Sequence, residues 1–434
     1  MTQLETYKND LLDRLKKLPT DYYYLALIVV TSFITRIVYV FYFTDYKHYL
    51  VSDMSGYWNR ALAMYEGNIF SMFHWAAWPV FFKIYLSFLF KIIAFIGLYK
   101  HLLESVLTFH IFLSSISIVF FYFIAKDLIN KSPIPMLATL FYAFSYPLIY
   151  LNAFILTENI AIPVFIFSVY LLFSSNNKNP RIFFSGIVFG FTVALKPSLA
   201  PIFLSFLFYL LLSGKKSGIS HLVKSVIFSL GFFLVIFIAS SQIFYISKGN
   251  VSGLHNSTGA NFFLAQCKYR GLSSSYKKHN FSLGPPLNWK HKEWPTFKTN
   301  HPINDQKYFY DLGWECMKKN PHWLKERVLN LKELFLGNLF PGFSSARYFH
   351  PLIDISKWLM VFMSCFSLLL YSPLKKKIIP ISKVLFLISI PLSVIIVSFP
   401  YQPESRYFYQ LLFVIELLFF LTYSHFEYIK KKFL

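Results

Sequence analysis

A chain of 434 residues that is 56% hydrophobic, 21% aromatic and 14% charged is too apolar for a soluble globular protein and reads as a polytopic membrane protein. Its formal net charge of +22 does not indicate nucleic acid, because the Lys and Arg residues fall in short clusters between apolar runs, which is a topology signal. Three cysteines are too few for a disulfide scaffold.

Tyr7 to Leu18 is charged and the apolar run from Tyr22 is of spanning length, so the N-terminus is read as a first span, not a cleaved signal peptide. That span, Tyr22 to Phe43, carries Arg36 roughly 10 Å from its outer end, at 1.5 Å per residue. An ionisable group at that depth is expected to face the bundle interior and meet an acid or a phosphate.

Next comes Val51 to Gly67, VSDMSGYWNRALAMYEG, a polar and amphipathic stretch. Ser52 to Glu66 is read as a helix lying along the membrane surface, with Met54, Trp58, Ala61, Leu62 and Tyr65 on one face and Gly67 as its stop. Asp53 stands at its start, where an acid can cap the helix or face a cleft.

Ten further apolar runs follow, at Pro79–Ile96, Glu104–Ala125, Pro133–Tyr150, Ile155–Phe173, Ile182–Leu195, Leu199–Leu212, Leu222–Ile246, Leu352–Tyr371, Ile378–Phe399 and Tyr407–Tyr423. The basic clusters at Lys126 and Lys131, Lys178 and Arg181, Lys215 and Lys216, Lys375 to Lys377, and Lys430 to Lys432 all fall on the side of the N-terminal lysines if one early run fails to cross. Pro79–Ile96 is that run, because Lys83 and Lys91 lie on roughly one helical face and suit an interfacial or re-entrant helix. Ten spans with both termini cytoplasmic are therefore favoured, and eleven is the alternative. On the favoured topology Asp53, Glu158 in LTENIAIP, Lys196 in GFTVALKPS, the Ser247 to His350 loop and Arg406 in PYQPESRYF share the outer face.

The loop from Ser247 to His350 is the one sizeable soluble region, and it is basic. Its glycine-rich first half reads as loop. Its second half reads as a helix from about Asn304 to Lys319 and a second helix capped by Asn320 with Pro321 at its first position. Leu324, Val328, Leu331 and Phe335 share a face of the second helix and suit a membrane surface. Cys267 and Cys316 both lie in this loop and are read either as a pair, if the loop is extracytoplasmic, or as two free thiols. No internal repeat, Walker loop, dinucleotide glycine fingerprint or CxxC or HExxH spacing is present, so neither ATP hydrolysis nor a tight structural metal is expected.

Four passages taken in order resemble the integral-membrane glycosyltransferases of the GT-C superfamily that use a polyprenyl-phosphate sugar, the group of protein O-mannosyltransferases and lipid A aminoarabinose transferase. They are Arg36 followed by SDMSGYWNRALAMYEGN, then YPLIYLNAFILTEN, GFTVALKPS and ESRYF. The long loop, with GLHNSTGANFFLAQC and NPHWLKERVLNLKELF, is similar to that of bacterial members. The first loop departs from the family pattern, since Asp53 is flanked by Ser52 and Met54 and the next segment is HWAAWPVFF.

The resemblance implies an all-α polytopic membrane protein: a GT-C-like bundle of about ten to eleven transmembrane helices, with juxtamembrane helices in the first outer loop and one long mixed extracytoplasmic loop. The expected units are a catalytic membrane module over 1–246, including the outer loop 44–78, the extracytoplasmic loop region 247–350, and the C-terminal helices 351–434.

Function is implied in the same way. The expected reaction is inverting transfer of a sugar from a polyprenyl-phosphate carrier to an acceptor hydroxyl or phosphate. Asp53 is the general base, Glu158 acts beside it, and Arg36, Lys196 and Arg406 hold the donor phosphate. No cofactor is required, no metal ligands are assigned, and no sequence feature supports a divalent metal. The expected partners are the lipid-linked donor, membrane lipids and a glycan, lipid or protein acceptor, with no nucleic acid. The richness in Lys, Phe, Ile and Tyr suggests a bacterial inner membrane. A transporter or flippase for a lipid-linked sugar is the alternative. It fits less well, because transporters carry paired repeats and midplane charges.

Overall fold

The computed structural model describes residues 19–68, 79–129, 133–175, 178–213, 218–246, 253–254, 258–267, 271–274, 281–284, 298–299, 305–328, 355, 358–359, 361–363, 381–398 and 411–433. The fold is helical apart from three short strands in the long loop.

Helix α1 is Thr20–Phe43. Tyr22, Leu25 and their neighbours supply the apolar length, and Asp21 sits in the first turn, where the helix dipole favours an acid. At that end Asp21 also receives hydrogen bonds from Tyr122 at 3.1 Å and Lys126 at 3.3 Å, which tie α1 to the far end of a longer helix. After α1, α2 (Ser52–Tyr65) packs along α3 (Val80–Phe95).

The surface helix therefore exists with nearly its expected limits, and it ends at Gly67, whose φ of 87° suits glycine. Met54 and Ala61 are buried, while Tyr57 and Trp58 set their rings against Phe82 and Phe90 of α3 at 5.0 and 4.8 Å.

The two lysines of α3 do not form one polar face. Lys83 is fully buried under α2, and Lys91 is exposed. Eight residues at 3.6 per turn leave two side chains about 80° apart, enough to place one inside the packed seam and the other outside it.

Helix α4 (Leu102–Leu128) packs on α1 and on α5 (Ile134–Ala143), which is followed by the short α6 (Tyr146–Leu151). Pro147 at the start of α6 suits a helix beginning. Then come α7 (Glu158–Phe173), α8 (Asn179–Leu195), α9 (Ile202–Leu212) and α10 (Gly218–Ile246).

Reciprocal hydrogen bonds between Ser168 and Ser185, 3.0 and 2.9 Å, join α7 to α8. The α8–α10 seam is closer still. Gly186 and Gly190 stand four apart on α8 and face Gly231 on α10, and a Cβ at Gly186 would run into the Phe228 carbonyl. Small residues at this spacing let two helix backbones approach in lipid, where van der Waals packing drives association.

In the long loop, α11 (Thr258–Gln266) packs on α12 (Gln306–Lys319), and between them run β1 (Gly271–Ser274), β2 (Phe281–Gly284) and β3 (Lys298–Thr299), an antiparallel sheet in that order. Helix α12 falls where the sequence places it, and Asp305 caps it by accepting from the Tyr308 amide at 3.1 Å. A short helix at 323–328 follows. Asn320 accepts from the His322 amide at 3.0 Å, and Leu324 and Val328 are exposed as expected.

Cys267 and Cys316 are joined in a disulfide, with Cα atoms 5.3 Å apart. Arg327 is buried beneath this unit and donates from Nη2 to the Ala265 carbonyl at 2.7 Å. Burial lowers its pKa, against the opposing charge of Glu326.

The C-terminal part contributes α13 (Ile381–Ser398), packed on α9, and α14 (Leu412–Phe433), packed on α5. Lys383 of α13 pairs with Asp127 at the end of α4.

Among the described residues, four helices are long and apolar enough to cross a membrane: Thr20–Phe43, Tyr99–Leu128, Ile134–Leu151 and Ser220–Tyr245. Shorter apolar helices include Glu158–Phe173 and Asn179–Leu195. This supports an integral membrane protein, while the expected count of ten to eleven crossings goes beyond it.

Candidate active site

The loop between α1 and α2 is docked onto the segment that leads into α7. Tyr49 stacks on Phe154 with ring centroids 4.6 Å apart and planes 9° from parallel. Each ring lies four residues before an acid of interest, Asp53 in one strand of chain and Glu158 in the other. A second anchor holds the same loop on α4, where Tyr46 donates to Glu104 at 3.0 Å. Burial and then the Glu104 contact raise the Tyr46 pKa above its usual value.

Asp53 occupies the first turn of α2 and is half-buried. It is not the N-cap, a position held by Val51 without a side-chain capping bond. Two cations that the sequence does not assign to the site lie further along this seam. Arg60 of α2 and Lys83 of α3 are both buried and within electrostatic reach of each other. The sequence carried a signal for Lys83, a charge in an apolar run, but its seam against α2 depends on tertiary packing.

Glu158 and Lys196 are brought together. Lys196 Nζ donates to Glu158 Oε1 at 2.5 Å, with the two side chains 7% and 1% exposed, and Thr157 donates to Oε2 at 2.8 Å. The chain folds this way because Lys196 ends α8, Glu158 begins α7, and the two helices run side by side.

Around this pair is a polar shell. Asn159 donates to the Leu151 and Phe154 carbonyls at 3.0 and 2.6 Å and accepts from Asn152 at 3.1 Å. These two asparagines brace the turn that presents Glu158, in the passage LNAFILTEN. The sequence reading used that passage for its acid alone. A small cavity of about 10 Å³ lies beside Asn152, Glu158, Asn159, Ser114 and Tyr142.

Arg36 faces inward and is fully buried, as its depth predicts. Its protein partners among the described residues are a hydroxyl and a carbonyl, not an acid. Nη1 donates to Ser32 Oγ and, at 2.7 Å, to the Ala143 carbonyl at the end of α5, while Nε and Nη2 have no partner among the described residues. Arg36 and Lys196, assigned to one phosphate, thus have separate partners here: a helix-end carbonyl for one and a buried carboxylate for the other. Arg406 lies outside the described residues. Among the described residues no group of His, Cys, Asp or Glu could hold a metal ion.

Residues 79–245 match the family model of dolichyl-phosphate-mannose-protein mannosyltransferase. Over these residues, less than half of the chain, the sequence is similar to that family. The matched stretch contains Glu158, Lys196 and the helices α7, α8 and α10 around them. Asp53, Arg36 and Arg406 stand outside the match. No curated protein matches the chain.

Proposed function

We propose that the chain transfers a sugar, with inversion, from a polyprenyl-phosphate carrier to an acceptor hydroxyl at the outer face of a bacterial inner membrane, with Asp53 as general base. The observation that carries this reading is the Tyr49–Phe154 stack, which holds the loop of Asp53 over the loop of Glu158. Asp53 takes the proton from the acceptor hydroxyl as its oxygen attacks the anomeric carbon. The bond from that carbon to the phosphate oxygen breaks, and the phosphate leaves with the electron pair. Because a lipid phosphate is already a good leaving group, the reaction needs cations near it more than an acid.

Lys196 has its first hold on Glu158, so its role shifts from pure phosphate clamp to a cation that also orients the acid. Arg36, with two donors unpartnered among the described residues, and Arg406 remain candidates for the phosphate. The membrane module is assigned to 1–246, the outer loop region to 247–350 and the C-terminal helices to 351–434. The Cys267–Cys316 disulfide supports an oxidising, extracytoplasmic side for the long loop.

Purified protein given a labelled polyprenyl-phosphate sugar and a hydroxyl acceptor tests this directly. Asp53→Asn is expected to lower turnover by about 100-fold or more, the scale of a lost general base. Normal turnover by the variant would remove Asp53 from the mechanism.

A further inference from the structure

A cleft of about 460 Å³ opens at the seam of α5, α6, α14 and the helical residues near 359–363, and no role has been assigned to it so far. Leu140, Phe144, Leu359 and Met363 are among its apolar walls, and Ser145 and Glu416 give it one polar end.

Glu416 is 5% exposed, and its Oε2 has no hydrogen-bond partner among the described residues. Ser145 is its hydrogen-bonding neighbour. The other hydroxyl lining the cleft belongs to Tyr146, which is bonded to Tyr39 at 2.8 Å. Among the described residues no Lys or Arg lines the cleft. The polar end therefore offers an unpaired carboxyl oxygen at the head of an apolar channel, and a carboxylate held there is best satisfied by a cation with hydrogen-bond donors.

We infer that this cleft is a binding site for a membrane lipid with a primary-ammonium headgroup, whose chain lies along Leu140, Phe144, Leu359 and Met363 and whose ammonium donates to Glu416. A primary ammonium brings three donors and a positive charge. A quaternary ammonium brings charge without donors, and an anionic headgroup is repelled. Lipid binding in this cleft does not depend on the transferase reading.

The test uses full-length protein in nanodiscs containing equal mole fractions of phosphatidylethanolamine, phosphatidylcholine and phosphatidylglycerol with matched chains. Lipids retained on the released protein are counted by native mass spectrometry. Wild type is expected to keep phosphatidylethanolamine over phosphatidylcholine by about tenfold, the scale of one charge-assisted hydrogen bond. Glu416→Gln should bring that ratio near one. Leu140→Trp, which fills the cleft without touching the carboxyl, should lower retention of phosphatidylethanolamine and guards against a folding defect in the first variant. Equal retention by wild type, a preference that survives both variants, or a preference for phosphatidylglycerol lost in Glu416→Gln would overturn the assignment. Sugar transfer measured on the same samples separates failure of this site from failure of the transferase reading.

Discussion

Replacing Lys196 by Met, which keeps the length of the side chain and deletes its charge, leaves the Glu158 carboxylate buried beside Thr157 with its cation gone. At 2.5 Å and an effective dielectric of about 20, the direct attraction of the pair is roughly 7 kcal/mol. Most of that offsets the cost of taking both ions out of water, so the attraction is not the net stabilisation. Removing one partner alone still exposes the full desolvation penalty of the other, a loss of about 3–5 kcal/mol. The double variant Lys196→Met with Glu158→Gln removes both charges and should regain most of that loss, although the transfer reaction should not recover with it.

The assay is equilibrium unfolding in mixed detergent micelles, run on the wild type, both single variants and the double variant, with sugar transfer measured in parallel. A coupling energy below about 0.5 kcal/mol across the cycle would show that the two charges do not depend on each other, and the buried-pair argument would fail. Recovery of transfer in the double variant would remove Glu158 and Lys196 from the reaction and leave them a structural role only.

Three further outcomes follow from other parts of the fold. Gly186→Val should cost about 3 kcal/mol, the upper end for overpacking, because the added carbons meet the Phe228 carbonyl and not a side chain that can turn away; unfolding of the variant in the same micelles checks it. Cys267→Ser with Cys316→Ser opens a link between residues 49 apart in sequence and should weaken the α11–α12 unit by about 4 kcal/mol, read as faster proteolysis within 253–328 while the membrane helices stay protected. A thiol introduced by Ser274→Cys in β1 should react with a membrane-impermeant reagent added to intact cells; labelling only after the cytoplasmic side is opened would invert the topology.

Periodicity and punctuation made the helices legible. The stripe of Met54, Ala61 and Trp58, the helix expected from about Asn304 to Lys319 and the glycine at position 67 are local signals, and each appears in the structure within a residue or two of its expected place. Depth in an apolar run likewise pointed Arg36 inward. What depth does not encode is the partner. Arg36 meets a carbonyl 107 residues away, which becomes available only because α5 ends at Ala143 beside α1. Lys196 meets an acid 38 residues away because α7 and α8 run antiparallel with both polar ends at one level. Lys83 and Lys91 looked alike in sequence, yet about 80° around α3 separates a buried charge from an exposed one.

The same contrast bears on the chemistry. An acid at a helix start is common in any protein, so Asp53 and Glu158 read alike in sequence, each in the first turn of its helix. Packing separates them. Glu158 is sealed, ion-paired and braced by Asn152 and Asn159, an arrangement that holds a fixed negative charge in place. Asp53 is half-buried in the first turn of α2, the partial exposure that the proposed general base requires. A general base must trade protons with substrate and solvent at every turnover, and a carboxylate locked 2.5 Å from a lysine in a dry site is poorly placed for that. On the proposed mechanism, the exchangeable acid sits in the first turn of α2 and the fixed one in the bundle.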